Sequence, residues 1–279
     1  MSENQAVEPA ISRWTERSRG PGVVALQQGC AVNVRLDRGE VHNAFDLDMT
    51  QAVSELVQEV AADPGVRAVL ISGNGPSFSS GADLRAALDV DARRRIGEHL
   101  RRFTAPLILA IRNMPKPVVA AVHGNAVGAG CSLALACDYV IAAESASFHL
   151  AFSRVGLGMD GGVGATVSAR AGFSVASAMT LMGQPIGGVE AAAVGLAEEV
   201  VPDDELADAA ERTLVKLANG PTESYAATKA VLNRVHYADL EEVLALEADL
   251  QEQLLASEGF AETVAALLAR REAQVDRRV

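Results

Sequence analysis

Short apolar runs alternate along the chain with longer amphipathic stretches. β-Branched runs at residues 23–27, 31–36, 66–72, 118–122 and 139–142 are bounded by Gly, Pro or polar residues and predict strands. Between the second and third lies DLDMTQAVSELVQEVAADPG, where Met49, Val53, Leu56, Val57 and Val60 recur at helical spacing and Asp-Pro-Gly ends the element. Parallel neighbours need a long crossover and antiparallel ones only a tight turn, so connections of this length imply largely parallel pairing and an α/β class. From about Asp203 the pattern becomes helical only, in DDELADAAERTLVKLA, TESYAATKAVLNRV, DLEEVLALEADLQEQLLA and GFAETVAALLARRE. This sets an expected boundary near Pro202 between a core of residues 21–202 and a helical region of 203–279. The apolar stripes of that region exceed the needs of one small core, so they pack on the core or on a partner subunit.

Composition narrows the class. At 279 residues the chain suits one large domain or a domain with a small appendage. It is 49% hydrophobic and 22% charged, without an apolar run of roughly 18 residues, so a soluble globular protein without a membrane partner is expected. The net charge of -12 argues against nucleic acid as a partner, which needs a cationic face. Residues 1–20 contain two early glutamates and no signal-like apolar core; they are expected to be a disordered leader of a cytoplasmic protein. Cys30, Cys131 and Cys137 form no C-x-x-C pair, and the five histidines lack metal-ligand spacing, so neither disulfides nor a metal is expected.

The chemistry concentrates in GNAVGAGCSLALACD, residues 124–138. Gly128-Ala129-Gly130 leads from an apolar run into a small-residue helix, whose first free N–H groups carry the positive end of the helix dipole. A dinucleotide fingerprint would need a third glycine where Leu133 stands. A nucleophile elbow at Ser132 would need glycine where Ala134 stands. Two further readings fit better: an oxyanion hole of main-chain N–H groups, or glycines that let a helix pack closely on a sheet. A second bend, NGPSFSSGADL, follows the strand VRAVLISG, and its Ser79, Ser80 and Gly81 are small enough for a ligand to approach the backbone of Ala82. Two such bends at the ends of neighbouring parallel strands can aim two N–H groups at one oxygen.

Three blocks in order, LDRGEVHNAF, SFSSGADL and KPVVAAVHGNAVGAGCSLALACDYVIAAESASF, resemble the crotonase, or enoyl-CoA hydratase/isomerase, superfamily from about Val23 to the C-terminal helices. The resemblance implies a spiral of strand-strand-helix units with a helical C-terminal part that assembles homotrimers or a dimer of trimers. It implies an acyl-CoA substrate and no cofactor beyond the coenzyme A moiety of that substrate. The thioester oxygen would be held by the N–H groups of Ala82 and Ala129, set by Gly81, Gly128 and Gly130. Asp83, Leu84 and Arg85 would line the pantetheine path, and Val41, His42 and Asn43 would lie near the adenine.

Hydration requires a base for water and an acid for the α-carbon, and hydratases of this family carry two glutamates. Matched block to block, those positions fall on Ser132 and Phe152, which would then line the substrate pocket. The carboxylate that stands nearby is Asp160, in GLGMDGGVG, where the resemblance to double-bond-shifting isomerases, including those of the phenylacetate pathway, places an aspartate. One carboxylate suffices for a 1,3-shift. The residues themselves leave a second reading open, in which Asp160 caps the helix beginning near Val163. A cap favours a low pKa, whereas a proton shuttle needs burial to raise it from ~3.9. Further alternatives are a hydratase using Asp160 and water, a serine hydrolase built from Ser132, Asp160 and His236, and a non-catalytic CoA-thioester-binding protein. Arg93, Arg94, Arg95, Arg101 and Arg102 read as a solvated helix face, some of it, with Arg270 or Arg271, available to CoA phosphates. His123 and His149 read as core or rim histidines, and Asp138 as structural.

Overall fold

A computed structural model of the chain describes residues 14–85, 90–257, 259–260, 262–266 and 269. Among these, the strands are β1 Thr15–Gly20, β2 Val23–Gln28, β3 Ala31–Leu36, β4 Ala68–Gly73, β5 Val118–Val122, β6 Asn125–Val127, β7 Tyr139–Ala143, β8 Ser147–His149, β9 Ile186–Gly187 and β10 Glu199–Val201. The helices are α1 Leu47–Ala62, α2 Val90–His99, α3 Ala105–Asn113, α4 Ala129–Ala136, α5 Val163–Leu181, α6 Gly188–Val194, α7 Leu206–Ala218, α8 Thr222–His236 and α9 Leu240–Leu255.

The larger sheet runs β1-β2-β3-β4-β5-β7-β10, antiparallel over its first two pairings and parallel thereafter. Its interior strand β5, VVAAV, is buried at every position, as expected of a parallel strand covered on both faces. A smaller sheet, β6-β8-β9, lies beside the chain reversals after β5 and β7. The repeated unit is therefore a long strand, a short strand and a helix: β5-β6-α4, then β7-β8-α5. This is the strand-strand-helix spiral expected from the three sequence blocks.

Two expectations are corrected. Residues 15–20, assigned to a disordered leader, form the edge strand β1, paired with β2. Its side chains are mostly charged: Arg19 pairs with Glu16 and Asp37, each at 2.8 Å, and Arg17 with Asp63 at 2.7 Å. Charge on an edge strand protects against edge-to-edge pairing, and the same charge hides the strand from a search for apolar alternation. The rest of that leader lies outside the described residues. The boundary near Pro202 separates compositions, not cores. Leu206, Ala209, Ala210 and Leu214 of α7 and Leu240 and Leu244 of α9 belong to the same hydrophobic core as the sheet. Beneath α8, Lys229 donates to Asp138 at 2.6 Å and Arg112 meets the same carboxylate at 3.0 Å, which gives Asp138 the structural role expected of it. Among the described residues no helix is long and apolar enough to cross a membrane.

Candidate active site

Two backbone bends meet beyond the ends of β4 and β5. Ser79 N–H donates to the Asn125 carbonyl and the Ser79 carbonyl accepts from Val127, both at 2.9 Å, which lays one bend along the other. Gly81 follows at φ 83°; a Cβ there would stand 2.5 Å from the Val127 carbonyl oxygen, so only glycine permits this approach. The same Cβ position is 3.6 Å from the Ala129 nitrogen, which shows how closely the bends abut. Phe45 donates to the Gly81 carbonyl and Asp83 donates to the Phe45 carbonyl, both at 2.8 Å, a ladder that passes over Ala82. The Ala82 N–H has no acceptor among the described residues. On the facing bend Gly128, at φ 50° and ψ -120°, turns the chain into α4, whose first residue is Ala129. The first N–H of a helix has no partner within it.

Ala82, Ala129, Ser132 and Asp160 all line one cavity of about 140 Å³. Its apolar wall comes from Phe45, Leu100, Ile108, Leu133, Leu255 and Phe260. Asp83 and Leu84 also line it, whereas Val41, His42, Asn43, Arg85, Phe152 and the glycines at 81, 128 and 130 stand outside. The glycines act from behind, by setting the bends. Asn43 is fully buried at φ 53°, its amide nitrogen within 2.8–3.1 Å of the carbonyls of Asn74, Ser77 and Phe78, and its amide oxygen accepts from Arg38 N–H at 2.8 Å. Its side chain holds the bend and is not exposed to a ligand. His42, also left-handed at φ 56°, has Nδ1 3.1 Å from Ser77 Oγ. Phe152 is half-buried against Gly128.

Asp160 is not the helix cap. Gly162 occupies the N-cap position of α5, with no side-chain cap, and its N–H donates to Glu247 Oε2 at 2.8 Å. Asp160 Oδ2 instead accepts from Gln251 Nε2 at 2.9 Å, and that amide also donates to the Gly158 carbonyl at 2.8 Å. Ser132 Oγ donates to the Asp160 carbonyl at 2.8 Å, fixing the main chain. Asp160 Oδ1 is buried and without a partner among the described residues. Burial pushes the Asp160 carboxyl up to about 6, opposed by the hydrogen bond from Gln251. That is the direction required of a proton shuttle and the opposite of a cap.

The serine-hydrolase triad does not assemble. Ser132 donates to a carbonyl, and His236 lines a different cavity with Arg112 and Tyr237. Cys131 and Cys137 are fully enclosed, with burial pushing both thiols up to about 12. His123 and His149 bind the carbonyls of Gly75 and Gly183 and stand outside the cavity. Arg101 is tied to Asp249 and Glu252 of α9. Arg270 and Arg271, and the side chain of Arg94, lie outside the described residues. No cluster of His, Cys, Asp or Glu among the described residues could hold a metal.

The enoyl-CoA hydratase/isomerase family model matches residues 27–278. The chain belongs to that family. It is 38% identical over 246 residues to a probable enoyl-CoA hydratase of Rhodobacter capsulatus, covering 88% of this chain and 94% of the relative. It is 35% identical to the 1,2-epoxyphenylacetyl-CoA isomerase of Escherichia coli, covering 87% and 94%. Its fold is similar to the crystal structure of an enoyl-CoA hydratase from Mycobacterium avium subsp. paratuberculosis, with a TM-score of 0.81 and 34% identity over 89% of this chain and 96% of that one. The protein is thus an enzyme of the crotonase superfamily with the fold the sequence blocks imply.

Three residues of this crotonase site were not selected from the sequence: Gln251, Glu247 and His99. The first two sit on the buried stripe of α9, with Leu240, Leu244, Ala248 and Leu255. Polar residues at core-facing positions of an amphipathic helix are the signal that could have found them, since buried polar groups need partners. Burial, with the charge of Asp160, pushes Glu247 up to about 8 against the hydrogen bond from Gly162. A carboxyl raised on folding from 4.5 binds more protons folded than unfolded between these values, so its contribution to stability is present at low pH and lost as pH rises through about 8. Glu247→Gln keeps an acceptor for Gly162. It is expected to melt about 5 °C above the native protein at alkaline pH and to converge with it near pH 5, measured by thermal denaturation across pH.

Proposed function

We propose that this crotonase shifts the double bond of an enoyl-CoA, with Asp160 as the only proton carrier and the Ala82 and Ala129 N–H groups as the oxyanion hole. The ionised carboxylate removes a proton from C2 of a 3-enoyl thioester. Negative charge develops on the thioester oxygen, where the two amides stabilise the dienolate. Protonated Asp160 then returns the proton to C4, leaving the double bond between C2 and C3.

The observation that carries this reading is the unpartnered, buried Oδ1 of Asp160 in the cavity shared with both free amides. Of the other aspartates on the cavity wall, Asp46 meets Arg38 at 2.6 Å and accepts from Met49 N–H, and Asp83 accepts from Arg85 N–H. A pKa of about 6 leaves the base ionised at neutral pH while its acid form stays accessible. The isomerase name of the Escherichia coli relative agrees. The cavity of about 140 Å³ is close to an engineered apolar cavity of about 150 Å³ that holds benzene, which suggests an acyl body of about six carbons.

A hydratase using Asp160 and water is the second reading. Gln251 Oε1, buried without a donor beside Asp160, would seat a water, and the Rhodobacter capsulatus relative is named a probable hydratase. One experiment separates the two: 2-enoyl- and 3-enoyl-CoA thioesters incubated in deuterated, oxygen-18-enriched water. Double-bond migration without oxygen-18 is expected, with deuterium entering the acyl chain only as far as protonated Asp160 exchanges with solvent before it returns the proton. Oxygen-18 in a hydroxyacyl product without migration would replace isomerisation by hydration, and neither migration nor oxygen-18 would leave only thioester binding.

Gln251→Leu is expected to slow the reaction below neutral pH. The amide hydrogen bond favours the Asp160 carboxylate, so its loss raises that pKa above about 6, and less of the required base form exists at a given acidic pH. The acid limb of the kcat/KM profile should move up by about one unit. Assembly as a homotrimer or dimer of trimers accords with the apolar side chains left exposed on this chain, Phe173, Leu181 and Met182 of α5 and its C-cap and Val231 and Val235 of α8.

A further inference from the structure

We infer that His99 is a specificity-determining residue that binds an oxygen carried by the acyl group itself, separate from the thioester carbonyl. This rests on the reading of the cavity as the acyl site. His99 is the last residue of α2 and lines the cavity, with its ring 4.8 Å from that of Phe103 in a tilted stack. Its Nε2 is buried and has no partner among the described residues. A buried polar atom without a hydrogen bond is costly, and in a ligand cavity the ligand is the natural source of the missing partner.

Ile96 and Leu100 on the cavity wall and the stacked Phe103 offer the ring no hydrogen bond. Burial and the charge of Arg95 lower the His99 pKa, against Asp48, which keeps the ring neutral at pH 7. A neutral imidazole presents one N–H and one lone pair. It can therefore donate to a hydroxyl, keto or cyclic-ether oxygen, or accept from a hydroxyl. The position is suited to selection because His99 ends α2, which runs on through a π-helical stretch, Leu100–Thr104, into α3, while the two amides and Asp160 come from the bends and the segment before α5. The acyl group can thus be read at His99 without changing the groups assigned to the chemistry.

The test is binding, by calorimetry, of saturated thioesters that cannot isomerise: hexanoyl-CoA and its hydroxylated forms, with the hydroxyl placed in turn on each carbon from the third to the sixth. At least one hydroxylated form should bind about tenfold tighter than hexanoyl-CoA, a factor typical of one buried hydrogen bond. In His99→Phe the ratio should fall to about 1. His99→Asn, which keeps a polar side chain on the helix but shortens it, should also lower the ratio, so the inference does not depend on one variant folding. No preference in the native protein, or a preference that survives both substitutions, overturns the role of His99. Failure to bind hexanoyl-CoA at all would instead remove the acyl-CoA reading on which the role rests.

Discussion

Asp160→Asn should lower kcat for double-bond migration by about a thousandfold or more and abolish any deuterium uptake that accompanies it, while acyl-CoA binding stays close to native. The size follows from general acid-base catalysis, where one positioned group commonly contributes about 10²–10⁴. Here the same group performs both proton transfers, which puts the expectation at the upper end. Asparagine preserves the shape and keeps an oxygen able to accept from Gln251, so the fold around Gly158 to Gly162 has no reason to change. Removing a carboxyl that burial raises to about 6 also relieves a desolvation cost. The variant should be at least as stable as the native chain at neutral pH. Stopped-flow absorbance at the enoyl-thioester band and proton NMR in deuterated water measure the two effects. Native-like turnover in a folded Asp160→Asn enzyme would end the single-carboxylate mechanism.

The parts of the fold that bury apolar side chains at a regular period were legible in the sequence. Residues 31–36 and 118–122 form the strands that their β-branched runs predict, and Met49, Val53, Leu56, Val57 and Val60 of α1 are the buried stripe that their spacing predicts. What escaped lacks that period. β1 is charged, and β6, β8 and β9 have two or three residues each, too few for alternation to register. The bends were legible for another reason. Glycine and serine between a strand and a helix mark close backbone approach, and Gly81 and Gly128 do adopt positive φ. Asp160 was visible as a carboxylate among glycines, but its environment was not. The residues that decide it, Gln251 and Glu247, lie 91 and 85 residues from the groups they bond, on a helix whose stripe looked adequate for packing alone. Likewise His99 stands in DARRRIGEHLRRF, whose five arginines read as a solvated face, while Ile96 and Leu100 line the cavity with the histidine. Pair spacing along a sequence cannot report contacts that the spiral makes between its beginning and its last helix.

Ala129→Pro should lower kcat by about 10²–10³ with little loss of thermal stability, which isolates the oxyanion hole from the fold that carries it. Proline removes one N–H and nothing else from the main chain's hydrogen bonds, because the first residue of α4 donates to no carbonyl within the helix. This is also the helical position that accepts proline best. The residue before proline must avoid helical angles, and Gly128 already sits at φ 50° and ψ -120°, the mirror image of the polyproline region and open only to glycine. The ring carbon that replaces the proton faces the site assigned to the thioester oxygen, so both hydrogen bonding and approach are impaired. Loss of one oxyanion donor costs about 3 kcal/mol in comparable enzymes, which is the size of the expected effect. Ala129→Gly keeps the donor and should retain most activity. If the proline variant is fully active, the free amide at Ala129 serves only the close packing of α4 on the bend at Gly81, and stabilisation of the dienolate must come from Ala82 with another group.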